Sequence, residues 1–126
     1  MATQQLEAYN TISIPAGADL SSAQFKFVKI SSGAVVLCGA GENAIGVLTN
    51  KPAIGEVAAV QIGGIAKVQA DAALATTGTK IMSSADGQAA AATSTNHVLG
   101  MTVTTAAAAA ELVEVLLAPP PHGILA

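Results

Sequence analysis

The stretch Ala106-Ala107-Ala108-Ala109-Ala110-Glu111-Leu112-Val113-Glu114-Val115-Leu116-Leu117 reads in two ways, and the fold class turns on the choice. Alanine is the best helix former, and Leu112, Val113, Leu116 and Leu117 stand at helical spacing. An earlier stretch, Glu56-Val57-Ala58-Ala59-Val60-Gln61-Ile62, decides against the helix because the chain repeats itself. Ile14-Pro15-Ala16-Gly17-Ala18-Asp19 resembles Val68-Gln69-Ala70-Asp71. Each leads to a lysine-bearing strand, Val28 to Gly33 and Thr79 to Ser84, then to a small apolar run, Ala34 to Leu37 and Ala89 to Ala92. Each run is followed by Ile45-Gly46-Val47 or Leu99-Gly100-Met101 and finally by the two Glu-led stretches. From Gly46 to Glu56 is 10 positions and from Gly100 to Glu111 is 11. Val57 to Ile62 reads as strand, so Leu112 to Leu117 is expected to be strand as well.

Turn residues support the same conclusion. Gly, Pro, Asn and Asp fall at Pro15 to Gly17, Ser31 to Gly33, Gly39 to Asn43, Asn50 to Pro52, Gly63-Gly64, Ala85 to Gly87 and Thr93 to Asn96. Such punctuation separates short strands. Phe25, Phe27 and Lys29 alternate with Lys26, Val28 and Ile30, which reads as one buried face and one milder face. The expected fold is all-β: a small barrel- or sandwich-like domain of two similar halves, about 12–62 and 66–117, with an N-terminal arm (1–11) and a Pro-rich C-terminal tail (118–126). Asp71 to Gly78 is expected to add one helical turn, with Asp71 as cap and Gly78 as stop.

Composition narrows the function. The chain has 126 residues, enough for one domain. Of these 52% are hydrophobic, but many are alanine and only 2% are aromatic, so the core is thin for its percentage. Charged residues are 10%, well under the roughly 25% of ordinary proteins, and the five basic residues are all lysines. A net charge of −3 with no basic cluster argues against direct nucleic-acid binding. No run approaches the roughly 20 apolar residues of a membrane span, Met1 to Asn10 does not read as a signal peptide, and the single Cys38 cannot form an intrachain disulfide. These features describe a soluble protein made in a cytoplasm, with a small, neutral surface.

No motif carries chemistry. Gly39-Ala40-Gly41-Glu42-Asn43-Ala44 has the spacing of a dinucleotide fingerprint, but Gly46 and Pro52 leave no room for the helix it requires, so it reads as a hairpin loop. Lys67 faintly resembles the modified lysine of biotinyl or lipoyl carrier domains, yet it lies inside an alternating strand and not at a turn. His97, His122 and Cys38 are too few and too scattered for a zinc site, and there is no Gly-x-Ser-x-Gly elbow. Glu56, Glu111 and Glu114 read as solvated carboxylates, and Cys38 as a small buried hydrophobe. No catalytic residue, cofactor or metal ligand is expected, and the chain does not read as an enzyme.

Ile45-Gly46-Val47-Leu48, Lys51-Pro52-Ala53, Gly55-Glu56, Val60 to Val68, Gly78-Thr79-Lys80-Ile81, Gly87, Val98-Leu99-Gly100 and Leu112 to Leu117 resemble the capsid cement, or head decoration, proteins of tailed bacteriophages. The resemblance spans about Ile12 to Leu117 and rests on glycines and small apolar residues at fixed places. It implies a β-rich homotrimer that binds the major capsid protein on the outside of an expanded head. Pro119 to Ala126 extends past the family's usual end. Leu6, Tyr9, Ile12 and Ile14, the large apolar residues before the repeat, are the expected capsid or subunit contacts. Ile12 and Ile14 serve equally well as a first core strand. A trimeric adhesive domain on a virion surface and a small β carrier or ligand-binding domain are the alternatives.

Overall fold

A computed structural model describes residues 11–118, which form ten strands and no helix. The strands are β1 (Thr11–Pro15), β2 (Phe27–Ser31), β3 (Ala34–Leu37), β4 (Gly46–Leu48), β5 (Val57–Gln61), β6 (Ile65–Gln69), β7 (Lys80–Ser83), β8 (Ala89–Ala91), β9 (Gly100–Thr102) and β10 (Leu112–Leu117). They make two antiparallel sheets, ordered β1-β5-β4-β2-β3 and β6-β10-β9-β7-β8. Position for position, the second order is the first shifted on by one half of the chain.

Each sheet curls until its edge strands meet. A parallel bridge joins Ala16 to Val35 in the first half, where Gly17 N–H donates to the Val35 carbonyl at 2.8 Å. Its counterpart joins Ala70 to Ala89, with Asp71 N–H donating to the Ala89 carbonyl at 2.8 Å. Edges that meet in this way leave fewer unpaired backbone groups, and each half becomes a small, nearly closed barrel. Alternation along the strands sets what lies inside. Ile12 and Ile14 face Val60 and Ala58 across the β1–β5 ladder and pack with Val28, Val35 and Leu48 in the first core. Val68 and Ala66 face Val113 and Val115 in the second, where Ile81 and Leu99 join them.

The barrels are narrow, and glycine is part of the reason. A Cβ at Gly46 would collide with the Gln61 carbonyl, and one at Gly100 with the Leu116 carbonyl. These glycines let β4 and β9 cross their neighbours closely.

Three expectations need correction. Asp71 to Gly78 forms no helical turn. Leu74 bridges Ala106 with backbone bonds of 2.8 and 2.9 Å in the two directions, and bends and a turn take up the rest of the segment. Second, β2 does not have one buried and one milder face: Phe27 and Val28 are both fully buried, Val28 inside the first barrel and Phe27 beneath the second half. Third, the repeat aligns Phe27, not Lys29, with Lys80. Phe27 and Val28 face Val47 and Gly46, whereas Lys80 and Ile81 face Met101 and Gly100. The segment Leu112–Leu117 is strand, as the repeat requires.

Candidate interface surfaces

The outer faces of the two barrels carry equivalent rows of residues. Across β2, β4, β5 and β1 the first row runs Phe27, Val47, Gln61, Thr11. Across β7, β9, β10 and β6 the second runs Lys80, Met101, Leu116, Ile65. Phe27 and Val47 are completely buried, because this end of the first row packs on the second barrel, while Gln61 is half-buried and Thr11 exposed. In the second row Met101 is 42% exposed, Leu116 45% and Ile65 52%. A shallow groove of about 230 Å³ lies along this row, with Lys80, Val98, Met101, Leu116 and Leu117 among its walls.

The seam between the halves is held by backbone bonds as well as by side chains. Phe27 N–H donates to the Gly87 carbonyl at 2.7 Å, and Gln69 N–H to the Phe25 carbonyl at 2.8 Å. The Gly39–Ala44 loop is the clasp: Gly41 N–H donates to the Ser83 carbonyl at 2.9 Å, and His97 N–H to the Gly41 carbonyl at 3.2 Å. The fingerprint-like spacing therefore serves a loop that grips the other half. Gly87 sits where a Cβ would lie 2.7 Å from Leu37 Cδ1 and 2.8 Å from the Phe27 carbonyl, so glycine lets the β7–β8 turn approach. Its counterpart Gly33, in the β2–β3 turn, has open space where a Cβ would stand.

One ion pair braces the clasp. Lys29 Nζ lies 2.8 Å from Glu42 Oε1 and 3.0 Å from Oε2, and Gly39 N–H donates to Oε1 at 2.6 Å. These bonds favour the carboxylate: the Lys29 ammonium first, then the Gly39 amide, hold Glu42 below its ordinary range. The same carboxylate raises Lys29. Beside it, Cys38 is 1% exposed, and burial pushes its thiol up, away from the reactive thiolate.

Glu56 and Glu111 are exposed, as expected of solvated carboxylates, but each has a bonded role. Glu56 Oε1 accepts the Ala53 N–H at 2.7 Å, and Glu111 Oε1 the Ala107 N–H at 3.1 Å. Lys67 lies mid-strand in β6, opposite Glu114. Among the described residues, no three His, Cys, Asp or Glu side chains gather where they could hold a metal ion.

Of the expected contact residues, Leu6 and Tyr9 lie outside the described residues. Ile12 and Ile14 are half-buried on β1 and pack on the first core, while Thr11, Ser13 and Pro15 of that strand face outward. The exposed row of Met101, Leu116 and Ile65 was not anticipated. Its signal lay in the repeat, where Leu116 replaces Gln61.

A search of curated protein sequences returns no match. Among solved structures, the chain is similar to the head fiber gp8.5 N base of bacteriophage phi29, with a TM-score of 0.71 and 16% identity over 86% of this chain and 92% of that one. At that identity the likeness is one of fold. A family model described as phage cement protein matches residues 10–117, across both barrels and the seam between them. The chain belongs to the phage cement protein family.

Proposed function

We propose that this protein decorates the outside of an expanded bacteriophage head as a homotrimer, binds the major capsid protein and stabilises the shell against the pressure of packaged DNA. Membership of a phage cement family makes it a structural component of the virion. The observation that carries the finer reading is the extent of that match, which takes in the whole double barrel. The surface fits the role. It is small, neutral and partly apolar, which lets backbones approach and lets modest contacts repeated by symmetry become large in total. We read the chain as a non-enzyme whose work is binding alone. The arm expected at residues 1–11, of which Thr11 already pairs with Gln61 in β1, contacts capsid or neighbouring subunits through Leu6 and Tyr9, with Ile12 and Ile14 rooting it in the first core.

Binding stabilises whichever state it prefers. Heads filled with DNA, with and without the protein, are heated beside a DNA-binding dye. Decorated heads release DNA at the higher temperature; equal release temperatures at full occupancy would refute the clamp. In that case, binding of glycans by the isolated protein would favour the adhesive alternative.

A further inference from the structure

The apolar row on the outer face of the second barrel has a counterpart whose occupant is visible. In the first half, Phe27 and Val47 occupy the positions that Lys80 and Met101 hold in the second. Of that first-half row, Phe27 and Val47 are buried against the second barrel while Gln61 is half-buried and Thr11 exposed, and the β7–β8 turn, Ser83 to Gln88, meets the row at Phe27. The turn equivalent to Ser83–Gln88 is the β2–β3 turn, Ile30 to Ala34. It too is bare: Ile30 is 49% exposed, Ser31 and Ser32 are exposed, and nothing stands within 4 Å of a Cβ placed on Gly33. Each chain thus makes one barrel-to-barrel junction and displays the two unlike halves of a second one.

We propose that copies of this chain join head to tail, the Lys80–Met101–Leu116–Ile65 row of one copy receiving the Ile30–Ala34 turn of the next, as the Phe27–Val47 row receives Ser83–Gln88 within the chain. The occupant of the groove is therefore a second copy of this chain. The complementarity runs down to the backbone: the counterpart of the Phe27 N–H bond to Gly87 is a Lys80 N–H bond to the Gly33 carbonyl of the neighbour. The two bare surfaces differ, so the junction is heterologous, and such junctions close into rings or run on as filaments. A ring of three chains carries six barrels, alternating covalent and non-covalent seams. This inference rests on the self-association in the reading above and specifies its geometry.

The test uses full-length chains with Met101→Cys or Ser31→Cys, at high concentration and bound to phage heads, treated with a short bis-maleimide; buried Cys38 supplies the background. The mixture of the two variants should give at least ten-fold more cross-linked pairs than either alone, and the double variant a ladder ending at three. Met101→Cys linking to itself as strongly as to Ser31→Cys would mean a two-fold interface and overturn the proposal. Trimers seen by light scattering or on heads, without the mixed cross-link, would overturn it and leave the trimer standing; monomers in both settings would remove both. Met101→Glu, on an exposed position, should keep the circular dichroism of the parent and weaken association at least ten-fold. Unchanged association would also count against the junction.

Discussion

Glu56 and Glu111 hold similar bonds in the two halves: the first accepts the N–H of Ala53, three residues back, at 2.7 Å, and the second that of Ala107, four residues back, at 3.1 Å. Their own N–H groups donate back to the carbonyls of Ala53 and Ala108, at 3.0 and 3.4 Å. The pair is reciprocal on Ala53 in the first half and divided between Ala107 and Ala108 in the second, and in each it ties off the turn that enters the last strand of the barrel. Carboxylate bonds to backbone amides are charge-assisted but exposed here, so Glu56→Ala and Glu111→Ala should each cost about 1 kcal/mol. The two sites share no partner, and urea unfolding of the double variant should show the sum.

Phe27 is the residue on which the seam depends. Phe27→Ala removes a fully buried ring between the barrels and should cost about 4 kcal/mol. Loss of cooperativity between the halves should accompany it, seen as broadened or split thermal unfolding.

Gly46→Ala and Gly100→Ala test the close strand crossings. A methyl at either place meets a backbone carbonyl that cannot step aside, and the expected loss is about 3 kcal/mol. Gly33→Ala meets no atom and carries only the strain of its left-handed backbone, φ 77°, so about 1 kcal/mol is expected. Unfolding temperatures that do not separate these two classes would contradict the packing described.

Acid should weaken the clasp. Glu42 titrates below its ordinary 4.5 in the folded protein, so its contribution is complete above that value and is lost as pH falls through the lower folded one. The stability gap between the parent and Glu42→Gln should therefore be present at pH 7, shrink below pH 4.5 and narrow in high salt. A gap that widens in acid would reverse the assignment.

Cys38 should resist a thiol reagent in the native state and react fully once unfolded. Burial both excludes the reagent and disfavours the thiolate. Rapid native labelling would show that the clasp opens.

The strand at Leu112–Leu117 was legible because the repeat supplied a second copy of it, against the helix propensity of its alanines. The double burial of β2 was not legible. Periodicity assumes one core per sheet, and here Phe27 covers a second barrel that only the tertiary fold brings near. The matching of Lys29 to Lys80 failed for a related reason: equivalent places in the two halves do different work. Phe27 and Val47 cover the neighbouring barrel, while Lys80 and Met101 remain outside. The exposed row was hidden because its residues are scattered over four strands, and only the ladder registers bring them into line.

The order of synthesis gives the seam a further meaning. A ribosome delivers the first half before the second, so until Ser83–Gly87 emerge the Phe27–Val47 row has nothing to cover it. During that interval the second half of a neighbouring chain is as good a lid as the chain's own. Crowded translation therefore favours the exchange of halves between nascent chains. The Gly63-Gly64 link, too short to let the halves drift far apart, is the feature that keeps each lid with its own chain.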